Sequence, residues 1–461
     1  MKPYPKTKPS GVEWLGDVPE HWVTQKITFG FSRIGSGTTP KSDSSEFYDG
    51  DTPWVTTSEL RETVITGTKK ALSKEALSIY TALRVYPIGT LLFAMYGATI
   101  GRLGILGIPA TVNQACCAFA EPRLFDSKFA YYWLWMRRPI LISLSTGGGQ
   151  PNLSQDDLRR IRIPTPPLLE QTAIAAYLDR ETGRIDELVG KKRDLIERLK
   201  EKRNALISRT VTRGLPADLP PATLAKLEAL AGQKLPLNSP LKPSGIDWLG
   251  DVPEHWEVRR AKHICDGIVD CKNRTPDYYE DGDFIVLRTT DVKNGKIDLH
   301  NALRTDGVNF KEWTLRGAPR KDDVFFTREA PAGEAALFDG KYPVCMGQRM
   351  MYFRVTAGKL DARYLLLYFY SDAAKTYIQG EAGGSTVTHL RLGQVYNFPL
   401  VQPPIGEQRA IAAYLDEEAA RLDALVGKVE AAIERLKEYR SALITAAVTG
   451  KIDVRTSSIS T

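Results

Sequence analysis

The chain has 461 residues, 43% of them apolar and 25% charged, with five cysteines and a net charge of +7 from 62 basic and 55 acidic side chains. At roughly 100–200 residues per domain this length allows about two to four domains, each with its own core. The sparse, odd-numbered cysteines argue against a disulfide scaffold and for a reducing compartment; so mild a positive charge permits a nucleic-acid partner without requiring one.

In chain order, residues 1–6 are polar and proline-rich with no apolar segment behind them, so no secretory signal is expected. Residues 9–22 form a Trp-rich lead, PSGVEWLGDVPEHW. A body follows, with β-rich runs at 52–57 and 89–96 and a helical patch at 129–136. Its most apolar stretch, 88–112, is broken by Arg102 and Pro109 and is too interrupted to span a bilayer as a helix, so a cytoplasmic location is expected. A charged helical tail begins at Pro166. Residues 214–243 then hold six prolines around a helical patch at 221–231 and read as a linker. The pattern then restarts: a lead PSGIDWLGDVPEHW at 243–256, β-rich runs at 284–287 and 324–327, a helical patch at 362–370 and a second tail from Pro403. Trp133, Trp135, Tyr368 and Phe369 are the expected core aromatics of the two bodies.

The chain is therefore a tandem duplication. The leads agree at 12 of 14 positions and the tails (166–212 and 403–449) at 30 of 47. The bodies match more faintly: Thr56 with Arg288, the run from Tyr96 to Gly101 with that from Arg328 to Gly333, Asn113-Gln114 with Gly347-Gln348, and the glycines at 147–149 with 383–385. Shared ends with diverged middles suggest one job done on two different targets. In the tails a 4-3 spacing selects Ile174, Leu178, Ile185, Leu188, Leu195, Leu199 and Leu206, and then Ile411, Leu415, Leu422, Leu425, Val429, Leu436 and Leu443. This is a coiled-coil seam, and its simplest partner is the other copy in the same chain. Gly190 and Gly427 lie inside both helices, where they are expected to permit a kink or a close helix approach.

Several chemistries are missing. The sequence has no phosphate-loop motif, no H-E-x-x-H helix, no paired C-x-x-C set and no G-x-S-x-G elbow. Cys116-Cys117, Cys265 and Cys271 read as buried thiols. His21 and His255, beside Trp22 and Trp256, read as structural. A self-contained nuclease or methyltransferase would need a catalytic constellation that is not visible, and a coiled-coil adaptor without DNA contact is the other rival.

The WLGDVPEHW leads and the P-P-x-x-E-Q-x-A-I-A-A-Y-L-D starts of the tails, in this order and twice over, resemble the specificity subunits of type I restriction-modification enzymes, across essentially the whole chain. The resemblance implies an α+β chain. Two mixed α/β target-recognition domains stand in tandem, separated by two long antiparallel coiled-coil-forming helices with pseudo-two-fold symmetry. It divides the sequence into a recognition domain with its lead (1–165), a helical conserved region (166–213), a proline-rich linker (214–242), a second recognition domain with its lead (243–402), a second helical region (403–452) and a disordered tail (453–461). It further implies a chain with no catalytic residue or metal of its own. Each domain would read half of a bipartite double-stranded DNA target. The helices would set the half-site spacing and dock two methyltransferase subunits, with two motor-nuclease subunits joining for restriction. S-adenosylmethionine, ATP and Mg would sit on those partners, and none on this chain. Candidate DNA-contacting residues in the first body are Thr38, Thr39, Lys41, Thr57, Ser58, Tyr96, Gln114 and Gln150. In the second they are Arg274, Arg288, Thr289, Arg328, Gln348, Arg349, Ser385 and His389. Arginine suits guanine and glutamine suits adenine in the major groove. Residues 23–150 carry 13 basic and 9 acidic side chains and residues 257–397 carry 21 and 19, so any DNA surface must be a local patch.

Overall fold

The apolar runs of both bodies become strands of the same two kinds of sheet. In the computed structural model, residues 2–144, 152–329, 331–381 and 389–455 are described. They belong to two units, Met1–Lys192 with Glu430–Thr461, and Arg193–Val429. The first body has strands β1 (Phe31–Gly35), β2 (Thr52–Val55), β3 (Val64–Ile65), β4 (Lys70–Leu72), β5 (Leu91–Ala94), β6 (Leu103–Leu106), β7 (Thr111–Val112) and β8 (Cys116–Pro122). They form a five-stranded sheet ordered β1-β8-β5-β6-β3 and a three-stranded sheet ordered β7-β2-β4. The second body has β9 (Cys265–Asp270), β10 (Phe284–Leu287), β11 (Leu303–Thr305), β12 (Val324–Thr327), β13 (Ala335–Leu337), β14 (Val344–Met346) and β15 (Met350–Val355). Here the sheets run β9-β15-β12-β13 and β11-β10-β14. In each smaller sheet the centre pairs parallel with a late strand, Val55 opposite Val112 and Leu287 opposite Met346. In the larger sheets the central strands Leu91–Ala94 and Val324–Thr327, both paired antiparallel, are buried throughout.

One helix closes each body: α1 (Ser127–Ser143) in the first, with Trp133 fully buried, and a shorter one, Ala362–Phe369, in the second, with Tyr368 and Phe369 buried. Trp135 is only half-buried, with the guanidinium of Arg440 5.1 Å from its ring. The tails form α2 (Leu168–Arg213) and, after the linker helix α3 (Pro221–Ala231) and the Ala362–Phe369 helix (α4), the final helix α5 (Ile405–Val448).

The residues that the two tails share explain how each helix is mounted on its body. Glu170 accepts hydrogen bonds from Tyr4 (2.6 Å), just ahead of the lead, and from His21 (2.7 Å) and Trp22 (3.1 Å) within it. Glu407 meets His255 at 2.9 Å in the second unit. The next residue caps the body helix. Gln171 accepts from the amide of Asp126, the N-cap of α1, and donates to the carbonyls of Leu124 and Pro166. Gln408 repeats this with Asp361, Lys359 and Pro403. About two turns further on, Asp179 pairs with Lys128 and Asp416 with Arg363. The E-Q-x-A-I-A-A-Y-L-D motif is thus a clamp. Glu holds the lead, Gln and Asp hold the body helix, and Ile174, Leu178, Ile411 and Leu415 between them are fully buried. His21 and His255 have the structural role expected of them.

Each unit contains an antiparallel helix pair. In the first, Glu170 bonds Trp22, which lies against Gly450, while Asp186 pairs with Arg440 at 3.1 Å. In the second, Glu407 lies beside Gly214 while Asp423 pairs with Arg203 at 3.6 Å. Gly450 is required: its φ is +71°, and a Cβ there would fall 2.3 Å from Pro19 Cδ.

The seam differs in phase from the 4-3 reading. Ile174, Leu178, Ile185, Ile411, Leu415, Leu422 and Leu443 are buried, and Leu199, Leu206, Val429 and Leu436 half-buried. Leu188 and Leu195 are each 43% exposed and Leu425 is 39% exposed. The neighbouring Val189 and Ile196 are buried in their place, with Val426 half-buried. Each displaced leucine is followed by a β-branched residue, so both orderings of three and four look apolar; the partner helix selects between them. The two helix glycines do not serve a close approach: a Cβ at Gly190 or Gly427 would meet nothing within 4 Å, and both helices run on through them. Among the described residues, Cys116, Cys117, Cys271 and Cys345 are buried free thiols and Cys265 is half-buried. Burial pushes the thiols of Cys117, Cys265 and Cys345 up to about 12.

Candidate nucleic-acid interface

In the first unit three segments converge where β5 ends. Met95 donates its amide to Ala115, and Leu153 donates to Met95. Gly37, whose Cβ would sit 1.7 Å from the Val112 carbonyl, lets the segment carrying Thr38 and Thr39 cross the end of β7. Thr39 then donates to Gln114 Oε1 at 2.5 Å. The Tyr96 hydroxyl also meets Gln114, and Tyr96 pairs through its backbone with Asn152. Burial raises the Tyr96 hydroxyl above its ordinary range. Asn113 donates to Val55, so the turn holding Thr57 and Ser58 starts beside Gln114. Ser58 Oγ is 2.8 Å from Thr56 Oγ1. Lys41 is tied by its amide to the Tyr80 hydroxyl and its side chain is exposed.

The second unit builds its site at the same station from different residues. Arg328 donates its amide to Arg349, Leu390 donates to Arg328, and Glu329 pairs through its backbone with His389. An open hollow of about 720 Å³ results, lined by Asp270, Arg328, Glu329, Gln348, Arg349 and His389 among others. Arg328 is buried, with Nη2 3.2 Å from Asp270 and Nη1 3.5 Å from the Leu390 carbonyl. Its Nε has no acceptor among the described residues. Burial raises the Asp270 carboxyl, with Arg328 and Arg316 working against the shift. Arg349 Nε is ion-paired with Glu329 at 2.8 Å, and His389 lies 3.5 Å from the same carboxylate. Gln348 donates to the Asn273 carbonyl, which sets Arg274 alongside. Arg274 lies 2.7 Å from Glu312 and 4.9 Å from the Trp313 ring.

These contacts correct the sequence alignment of the bodies by one residue. Met95 and Tyr96 occupy the places of Arg328 and Glu329, because Ala94 and Thr327 are the matching strand ends that receive the amides of Gly101 and Gly333. Tyr96 therefore answers to Glu329, Ala115 to Arg349 and Asn152 to His389. Arg288 matches Thr56 and does the same work: it pairs with Asp291 through Nε at 3.1 Å and Nη2 at 2.9 Å, and also donates to the Asn301 carbonyl. That commits Nε and Nη2 to the turn that carries Thr289. Gln150 and Ser385 lie outside the described residues. Sequence reasoning missed Asn152, Asp270, Glu329 and Arg316; only the strand pairing brings these distant positions to the site, although the Glu329–His389 pair carries a charge signature. Among the described residues no cluster of His, Cys, Asp or Glu could hold a metal ion, and no helix is long and apolar enough to cross a membrane.

Two clusters of unlike polarity on one duplicated frame mark a tandem protein with two comparable sites, and sequence comparison identifies its kind. The type I restriction modification DNA specificity domain matches residues 19–198 and again 253–435. The chain belongs to this family and is a DNA specificity subunit of a type I restriction-modification system, a non-catalytic class of subunit. The MjaVIII specificity subunit of Methanocaldococcus jannaschii is 23% identical over 447 residues, covering 95% of this chain and 94% of that one. The EcoBI specificity subunit of Escherichia coli is 22% identical, covering 75% and 70%. Among solved structures, a chain from a study of assembly and conformational transition in the type I system superposes with a TM-score of 0.68 at 17% identity, covering 94% of this chain and 99% of that one. The HsdS subunit of Thermoanaerobacter tengcongensis gives 0.52 at 18% identity, covering 94% and 98%.

Proposed function

We propose that each unit reads one half of a bipartite double-stranded DNA target, and that the helices fix the gap between the halves and dock two methyltransferase subunits. Two motor-nuclease subunits complete the restriction complex, which works in the cytoplasm. S-adenosylmethionine, ATP and Mg belong to those partners. The observation that carries this reading is the pair of equivalent stations. Thr39, Tyr96, Gln114 and Asn152 in the first unit correspond to Arg328, Glu329, Gln348, Arg349 and His389 in the second, at the same place in each sheet frame. A neutral amide-and-hydroxyl cluster and a charged one suit different base edges. Lys41, Thr38, Thr57, Ser58, Arg274 and Thr289 surround these stations and would contact backbone or neighbouring bases, giving the salt-dependent part of binding.

Methylome sequencing of cells that express the chain with its methyltransferase subunit tests the reading. The expected result is a two-part methyladenine motif. Exchanging residues 23–165 for those of another specificity subunit should change one half of that motif and leave the other half and the gap intact. A change in both halves, or in neither, overturns the two-reader assignment.

A further inference from the structure

Arg349 occupies the left-handed backbone region, with φ at +68°, where a side chain without an amide or carboxamide near its backbone is rarely found. Arg349 closes the tight turn that joins β14 to β15, and Ala115, its counterpart in the first unit, does not take up this conformation. Its ion pair with Glu329 is half-exposed on the arginine side, and so exposed a pair is weaker than the backbone strain it accompanies. Positions held in this way cluster where a side chain must be aimed.

The aim can be read from the contacts. Nε of Arg349 is held by Glu329, and its two terminal nitrogens have no acceptor among the described residues. They form a planar fork fixed in direction by a carboxylate behind it and open to the hollow in front. Several groups around it are committed, although Arg391 and His389 also line the hollow. Arg328 is bound to Asp270 and Leu390, Arg288 to Asp291 and Asn301, and the Gln348 amide to Asn273. A free fork accepts two kinds of partner, a phosphate or the O6/N7 edge of guanine. Here Glu329 stands against the guanidinium and Asp270 lies in the same hollow. Arg316, Arg328 and Arg391 line the hollow as well, so its overall charge does not decide between the two; the Glu329 carboxylate paired with Arg349 cancels the net charge of this fork, which then suits the neutral pair of acceptors that guanine offers. We propose that Arg349 reads a guanine in the half-site of the second unit, with Glu329 as the positioning residue that aims it. The first unit has Ala115 and Tyr96 at these places and makes no such contact. The proposal rests on the two-reader function above and adds the identity of one base.

The test uses the assembled complex of the chain with its methyltransferase subunits and duplexes carrying the motif found by methylome sequencing. In the second half-site, replacing one guanine by 7-deazaguanine removes the N7 acceptor alone. Wild-type binding should fall about 10-fold, while the R349K complex, which keeps the charge and loses the fork, should show no further loss on that duplex. R349K should also accept all four base pairs at that position within a few-fold, against about 10- to 100-fold discrimination by the wild type, with the other half of the motif unchanged. E329Q keeps an acceptor for Nε and should retain part of the preference; E329A should lose it while keeping affinity for DNA without the motif. A wild-type motif with no guanine in the second half, an R349K complex with unchanged preference, or an R349K complex weakened equally on every duplex each overturns the assignment. None of these results touches the two-reader function, which fails only if no two-part motif is methylated at all.

Discussion

At the residue scale, the clamp carboxylates differ in how much they hold. Glu170 and Glu407 are both buried and both meet a lead histidine. Glu170 also satisfies the Tyr4 hydroxyl and the Trp22 indole N–H, whereas the Trp256 indole N–H is buried without a partner among the described residues. Burial, reinforced by the Glu170 charge, drives the Tyr4 hydroxyl far above its normal range, so it stays a donor. Removing a carboxylate strands its donors at about 1–3 kcal/mol for each one buried. Glu170→Ala should therefore destabilise the first unit by about 3 kcal/mol or more, and Glu407→Ala the second by roughly 1–2 kcal/mol. Urea unfolding of the two variants checks the order; equal midpoints would mean that the extra bonds of Glu170 add nothing. Tyr4→Phe should account for part of the difference.

At the element scale, the long helices show what a sequence can and cannot specify. Their existence, their start after a proline pair and the linker helix at Pro221–Ala231 were legible, because periodicity and stop signals are local. So were Phe284–Leu287 and Val324–Thr327, unbroken apolar runs between turn residues. The phase of the seam was not, since Leu188-Val189 and Leu195-Ile196 offer two apolar residues where one is buried. Nor was the join of Asp270 to Arg328 or of Glu329 to Arg349, which depends on strand register across distant sequence. The candidate site was legible where repeats aligned, at Gln114 and Gln348, and misread where a one-residue slip hid Glu329 behind Arg328. The glycines at 190 and 427 allow a direct check. Each faces open space inside a helix, so alanine adds helix propensity and costs no clash. Gly190→Ala and Gly427→Ala should each stabilise the chain by about 0.8–1 kcal/mol. A lower thermal midpoint for either variant would show that the helix needs to flex there.

At the scale of the whole molecule, the two long helices are the part on which both units draw, each helix passing from one unit to the other near residues 192 and 429. Each unit holds one reciprocal ion pair, Asp186 with Arg440 and Asp423 with Arg203, at matching places in the repeat. If these helices set the gap between half-sites, the gap must follow their length. Inserting one heptad into both helices at those crossings keeps the seam facing its partner, because seven residues make close to two turns. It adds about 10 Å of helix, equivalent to about three base pairs at ~3.4 Å each. Methylome sequencing should then return the same two half-sites with the gap widened by about three base pairs. Methylation should also weaken, because three base pairs rotate the second half-site by nearly a third of a DNA turn. An insertion of three or four residues, or of a heptad in one helix alone, breaks the antiparallel register and should abolish methylation. Retention of the original gap after the matched insertion would mean that the methyltransferase subunits, and not these helices, hold the two readers apart.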